Sequence, residues 1–191
     1  MSVRAGETPV LDALEDTALA HRADADFDAF AELYRRYLVS VFRFVRSQTR
    51  DDATAEDLTA QVFFRALSSA GTYKGEGSYR AWLFRIAHNT LKSHRSTEGR
   101  SALTVPDLPE REDPEPSPPA QAMAGEARDF VRHLVAQLPP AQREVVALHY
   151  LGDFTIEEVA AATDRSRGAV RILLHRARAR LRRALQGKGE V

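Results

Sequence analysis

Apolar side chains recur along this chain at intervals of three and four residues, the spacing of an α-helix with one buried face. The amino-terminal half holds three such stripes, which begin at Phe27, Leu58 and Tyr79. The third stripe is the most regular and runs through Trp82 to Leu91. No stretch alternates polar and apolar residues as a half-buried β-strand does. We therefore expect this half to be a bundle of three helices.

The pattern in the carboxyl-terminal half predicts further helices, each with start or stop signals at its ends. One helix ends at Pro139, where the next begins, and Gly152 stops that second helix. Residues 155–158 read Thr-Ile-Glu-Glu, a capping box that opens a short third helix. Ser166 stands where it can cap the last and longest helix. With both halves helical, the sequence predicts an all-α protein.

The segment 98–124 separates the two halves. It holds six of the nine prolines, many acids and few large apolar side chains. Such a segment cannot bury enough apolar surface to offset the entropy lost on ordering, so we expect a flexible, extended linker. The predicted organisation is an amino-terminal tail (1–25), a first domain (26–97), the linker, a second domain (125–187) and a carboxyl-terminal tail (188–191). We expect the first tail to be frayed rather than regulatory.

Composition narrows the classes of function. The chain has no cysteine, which excludes disulfides, thiolate metal sites and thiol nucleophiles. No apolar run approaches the roughly 18 residues of a membrane span, and the first residues lack a secretory signal, so we expect a cytoplasmic protein. The histidines lack metal-site spacing, since His88 and His94 lie six apart on different helix faces. We expect no enzyme activity, no metal and no other cofactor.

Positive charge is concentrated near one end, although the formal net charge of the chain is zero. No acid lies between Arg165 and Gly189. A solvated surface helix normally mixes signs, because opposite charges four residues apart stabilise it. A capped helix, a short turn and a helix with a basic outer face form a helix-turn-helix, whose second helix enters the major groove. We therefore expect DNA binding here, ahead of a solvated face or an anionic membrane surface.

A second basic surface lies on the third helix, opposite its apolar stripe. It consists of Arg80, Phe84, Arg85, His88, Asn89, Lys92 and Arg95. Aromatic rings beside cations suit unstacked, single-stranded bases, and an exposed amide can hydrogen-bond the edge of an extruded base. The glycine-containing loop 73–78 before this helix could let backbone approach a ligand. A surface for duplex DNA and another for opened strand together predict promoter recognition with melting.

Several segments resemble regions 2 and 4 of the bacterial sigma-70 family, in the order and spacing of that family. They are FDAFAELYRRY, AEDLTAQVFFRAL, YKGEGSYRAWLFRIAHN and LPPAQREVVALHYLGDFTIEEVAAATDRSRGAVRILLHRARARLRRAL. The resemblance is to the compact extracytoplasmic-function (ECF) sigma factors, which keep only these two regions. It implies a sigma factor that binds RNA polymerase core, recognises the −35 and −10 promoter elements and promotes strand opening.

The resemblance also implies roles for particular residues. The second basic surface, together with Lys74 of the loop, would bind the −10 element, and Asn89 would help to hold a base flipped from it. The −35 element would be read by the helix-turn-helix, through Arg165, Arg167, Gly168, Arg171, Ile172, His175, Arg176 and Arg178. The clamp helices of the polymerase β′ subunit would dock on a segment that contains Glu56, Asp57, Gln61 and Phe63.

Further partners follow from the same resemblance. The β flap of the polymerase would be another contact, and family members are often held inactive by an anti-sigma factor. We expect the free protein to bind promoters weakly, because a flexible tether leaves the spacing of the domains undefined until core fixes it.

Two other classes of function stay open at this point. A dimeric helix-turn-helix regulator would act on duplex DNA without polymerase, but it has no evident use for a base-capturing surface. An interaction protein would sequester another regulator through exposed helices. Salt dependence separates this last class, since neutralising about six phosphates gives a log–log slope of about −5, whereas apolar pairing is nearly insensitive to salt.

Overall fold

The computed structural model describes residues 11–75, 77–101, 130–131 and 133–186, and every regular element in these ranges is helical. The α-helices are α1 (Asp16–Arg22), α2 (Phe27–Arg46), α3 (Asp52–Ser68), α4 (Tyr79–Ser101), α5 (Pro140–Val146), α6 (Ile156–Thr163) and α7 (Arg167–Gln186). Residues 130–131 and 133–136 are also helical, and a π-helical turn, Ala147–Leu151, extends α5. The predicted all-α fold is confirmed. Most of the predicted linker, from residue 102 onward, and the carboxyl-terminal tail lie outside the described residues.

Helices α2, α3 and α4 pack around the apolar core of the first domain. The Asp26 carboxylate accepts hydrogen bonds from two backbone N–H groups at the start of α2, and the Asp51 carboxylate accepts one from the Thr54 N–H at the start of α3. The interior is formed by side chains from all three helices, including Leu33, Val62 and Leu83, each fully buried. Burial of one such side chain contributes about 1.5–3 kcal/mol. The three apolar stripes are the faces that build this core.

Helix α1 packs against α2 and belongs to the first domain. Leu19 is fully buried. The Arg36 guanidinium donates to the backbone oxygen of Leu14 at 2.8 Å and to the Asp16 carboxylate at 2.8 Å. The expectation of a frayed tail is therefore wrong for residues 11–25, because an arginine of α2 supplies the partners that the sequence pattern does not show.

Helices α5, α6 and α7 form the second domain, and α6 and α7 form the predicted helix-turn-helix. The capping box at 155–158 is present, with Thr155 and Glu158 bonded reciprocally. The Ser166 hydroxyl accepts from a backbone N–H in the first turn of α7. Asp164, in the turn, adopts the left-handed conformation with φ 53°. Within the described ranges, no helix combines the length and apolarity that crossing a bilayer requires.

The two domains touch directly, because α4 of the first packs along α6 of the second. The Phe84 ring of α4 meets the Phe154 ring just before α6 edge-on, with 4.8 Å between centroids. The expectation that the tether alone leaves the domain spacing undefined is therefore wrong for this arrangement.

We predict that Arg36→Ala lowers the melting temperature by about 2–8 °C, because the α1 segment loses its hydrogen bonds to α2. Arg35→Ala is the matched control, since Arg35 also pairs with Glu32 but is 69% exposed. Thermal unfolding followed by circular dichroism compares the two variants. Equal melting temperatures for them would contradict the stabilising role assigned to α1.

Candidate nucleic-acid interface

The basic surface of α4 faces the second domain over much of its length. Phe84 is 1% exposed and His88 is 9% exposed. Both were expected on an open face, and that expectation is wrong for this arrangement. The Phe84 ring also contacts the Phe44 ring of α2, with 5.4 Å between centroids, so its own domain contributes to its burial. The helical wheel of α4 does not show that a second domain covers the rest of this face.

A buried carboxylate joins the two domains. Glu144 of α5 is 1% exposed, and its two oxygens take different partners. Arg165 of the helix-turn-helix turn donates to one oxygen at 2.8 Å. The His88 Nδ1 atom lies 2.6 Å from the other oxygen and is the donor, because an ionised carboxylate only accepts. Glu144 therefore binds one residue from each domain.

The charge state of Glu144 follows from these contacts. Burial acts to raise its pKa, but the hydrogen bond and charge of His88, with those of Arg165, outweigh burial and hold the pKa below the usual value for a glutamate. A lowered pKa means that this stabilisation is present at neutral pH and is lost as pH falls through the lowered value. The Glu144 carboxylate is therefore ionised at neutral pH.

Two arginines of α4 also bind groups of the second domain. The guanidinium carbon of Arg80 lies 3.9 Å from the centroid of the Phe154 ring, a cation–π contact. The Arg85 Nε atom donates to the backbone oxygen of Ala161 in α6 at 2.9 Å. Arg95 instead donates to a glutamine side chain of its own domain. Most of the predicted −10 surface therefore contacts protein in this arrangement.

Four residues of the predicted −10 set remain exposed. Arg85, Asn89 and Lys92 are exposed on α4, and Lys74 is exposed in the loop before it. Of these four, Arg85 is also hydrogen-bonded to the second domain.

The outer face of α7 is open and basic. Its exposed residues include Arg167, Gly168, Arg171, Ile172, His175, Arg176 and Arg178. On the opposite side, Val170 and Leu174 are buried in the second domain. The predicted −35 set is therefore brought together on one face, except for Arg165, which is half-buried against Glu144.

The segment predicted to bind polymerase lies on α3. Glu56 and Asp57 are exposed, and the half-buried Gln61 donates to the Asp57 carboxylate at 2.8 Å. Phe63, by contrast, is 4% exposed, and its ring packs edge-on against Tyr34. A direct contact of Phe63 with a partner is therefore excluded in this fold.

The neighbouring aromatic residue is the exposed one. Phe64 is 71% exposed and lines a shallow depression with Ala60, Gln61 and Arg65. Sequence reasoning missed Phe64, although the Phe-Phe pair was a signal. Successive residues of a helix point about 100° apart, so only one of the two rings can reach the core.

Comparison with known proteins agrees with this architecture. Residues 33–101 match the Sigma-70 region 2 family, and residues 131–181 match Sigma-70, region 4. The chain is 32% identical over 190 residues to the ECF RNA polymerase sigma factor ShbA of Streptomyces griseus subsp. griseus, a match that covers 94% of this chain and 97% of ShbA. It is 34% identical over 170 residues to the ECF RNA polymerase sigma factor BldN of Streptomyces coelicolor, covering 87% of this chain but only 64% of BldN.

The fold is also similar to a solved structure. A chain in the complex of CnrH with the cytosolic domain of CnrY superposes with a TM-score of 0.68 at 26% identity, covering 90% of this chain and 97% of that one. Two helical domains matching regions 2 and 4 define a bacterial sigma factor. This chain belongs to the ECF RNA polymerase sigma factors. It acts with RNA polymerase in promoter recognition, which decides against a regulator that works without polymerase.

We predict that His88→Ala shifts the domains toward an open arrangement more than Arg165→Ala does, because of the two partners of Glu144 only His88 lies in the other domain. A hydrogen bond to a charged group contributes about 1.5–3 kcal/mol, so the closed-to-open ratio should fall roughly ten- to hundredfold. The chain has no cysteine, so labels can be placed cleanly at the exposed positions of Ser40→Cys and Gln186→Cys. Pulsed electron–electron double resonance between spin labels at these two positions measures the closed and open populations. An equal shift in both variants would contradict this assignment.

Proposed function

We propose that α7 reads the −35 element, that α4 and the loop 73–78 bind the melted −10 element, and that α3 docks on RNA polymerase core. The observation that carries this proposal is the open, acid-free face of α7 on a domain separate from the Asn89 surface. In this proposal residues 26–97 and 125–187 act as the two functional domains. Residues 98–124 connect them along the polymerase, through its channel towards the path of nascent RNA.

Release of α4 from α6 is the first step of this mechanism. Arg80, Phe84, Arg85 and His88 bind the second domain in the closed arrangement, so DNA and the second domain would compete for them. Core would separate the domains by docking each at its own site. Free protein would then bind promoters weakly because of occlusion, since apparent affinity scales with the fraction of competent molecules.

The second step places the complex on the −35 duplex. Arg171 and His175 lie on the exposed face of the early and middle turns of α7, where a recognition helix contacts base edges. Arg176 and Arg178 follow them on this exposed basic surface and would bind phosphates, which fix register without reading sequence.

The third step captures the opened strand. The Asn89 amide offers both donors and an acceptor to the edge of an extruded base. Once the second domain has moved away, the side of the Phe84 ring that contacts Phe154 would be available for stacking, which contributes about 1–3 kcal/mol per base. Lys74 and Lys92 supply positive charge for the backbone. Stacking and hydrogen bonding together offset the cost of unpairing, which is about a few kcal/mol.

Contact with core would use the exposed side of α3. Phe64 provides the apolar contact in place of the buried Phe63, and the surrounding polar groups are those of Glu56, Asp57 and Gln61. An exposed aromatic residue ringed by polar groups has the form of an interface anchor. The β flap would contact the second domain.

Regulation and location belong to the same proposal. CnrH is solved in complex with the cytosolic domain of CnrY, and we propose that this chain is likewise held by a protein of the anti-sigma class. Sigma factors are initiation factors rather than enzymes, so the polymerase supplies the chemistry of RNA synthesis. The protein would act in the cytoplasm, beside the polymerase.

We predict that Asn89→Ala leaves core binding intact and lowers open-complex formation roughly two- to tenfold, the effect of losing one neutral hydrogen bond. Permanganate footprinting of melted promoter measures opening, and co-purification with core measures binding. Ser40→Ala, an exposed change on α2, is the control. Normal promoter opening with Asn89→Ala would remove the base-capture role.

We predict that Arg171→Ala costs about 1–3 kcal/mol on a cognate −35 element if Arg171 contacts a base edge. Arg182→Ala, an exposed change farther along α7, should weaken binding about equally on every sequence. Holoenzyme binding to a panel of −35 variants compares the two profiles. A sequence-independent loss with Arg171→Ala would reassign Arg171 to phosphate.

A further inference from the structure

The loop between α3 and α4 depends on two glycines. Gly75 and Gly77 have φ angles of 72° and 83°, which side-chain-bearing residues rarely adopt. The Tyr73 hydroxyl donates to the backbone oxygen of Gly77 at 2.9 Å and closes the loop. Tyr73 is itself buried, beside Trp82. Gly77 is thus tied by a hydrogen bond to a buried aromatic residue.

Helix α1 contacts this loop through His21. The His21 ring lies against the Tyr73 ring, with 5.7 Å between centroids. A Cβ atom placed on Gly75 would lie only 2.8 Å from the His21 Nε2 atom. His21 therefore occupies the space that a side chain at position 75 would need. The equivalent point at Gly77 has nothing within 4 Å.

The support beneath His21 is firmly held. Leu19, two residues earlier, is fully buried, and Arg36 binds the start of α1 through Asp16. Just after α1, the Asp24 carboxylate approaches Gly71 so closely that a Cβ there would lie 2.9 Å from its oxygen. The end of α1 thus abuts the connection between α3 and α4 at two glycines.

We propose that His21 is a positioning residue for base capture: it packs on Tyr73 and Gly75 and holds these two residues in the positions that favour receiving the extruded −10 base. This inference rests on the proposed role of Asn89 and the loop. A loop held in its binding conformation loses less conformational freedom when the base arrives, so capture is more favourable. The α1 segment thereby contributes to promoter opening without touching DNA.

A double-mutant comparison at the two glycines tests the proposal. Gly75→Ala and Gly77→Ala each impose the strain of a positive φ, but only the new methyl group at 75 meets His21. We expect Gly75→Ala to reduce open-complex formation more than Gly77→Ala does. Adding His21→Ala to Gly75→Ala should raise open-complex formation at least about twofold. Adding it to Gly77→Ala should not raise it.

The single His21 variants give a readout that a loss of protein stability alone would not change. His21→Ala should lower promoter opening and flatten the preference among the four bases at the extruded position, while core binding stays normal. His21→Phe keeps a ring against Tyr73 and should restore most of the opening. If Gly75→Ala fails to fold, this pair of His21 variants decides the question in the same assay.

The outcomes distinguish a failure of this inference from a failure of the base-capture function on which it rests. Normal opening with Asn89→Ala refutes base capture itself and this inference with it. A defect with Asn89→Ala, combined with equal coupling of His21 to both glycines, overturns only the positioning role. An unchanged base preference in His21→Ala also overturns that role.

Discussion

The closed arrangement of this sigma factor depends on how one buried carboxylate is satisfied. Glu144 is almost fully removed from solvent, and a buried charge is tolerated only when it is paired and hydrogen-bonded. Arg165 supplies one partner from the same domain, and His88 supplies the other from across the interface. Removing one partner from such a site is usually costly because the charge stays buried. The position of α4 against the second domain is therefore coupled to the turn of the helix-turn-helix.

In the proposed mechanism, the face of α4 has two competing uses. While His88 binds Glu144 and Phe84 packs on Phe154, neither side chain can contact a base. Any free energy that favours closure of the two domains reduces the free energy of DNA binding by the free chain. RNA polymerase core needs only to bind the separated domains better than the closed ones in order to expose this surface. Promoter binding and polymerase binding are then linked through one interface.

The sequence predicted local structure well because local structure has local causes. The capping box at Thr155 and the cap at Ser166 form as expected, and the basic face of α7 is open. What the sequence could not predict depends on contacts between distant residues. Phe84 packs on Phe44 of its own domain and on Phe154 of the second, and the second of these contacts cannot be predicted from the periodicity of α4. The choice between Phe63 and Phe64 likewise needed the orientation of α3, and the order of α1 needed Arg36 of another helix.

The chemistry of the closed interface explains why one surface can serve two partners. A base offers an aromatic face, and a nucleic-acid backbone offers anionic oxygens. The second domain presents the same groups to α4: the Phe154 ring receives the Phe84 ring and the Arg80 guanidinium, and the Glu144 carboxylate receives His88. Side chains suited to stacking and to anions therefore find suitable partners within the protein. In the proposed open form, the same side chains would face nucleic acid in place of the second domain.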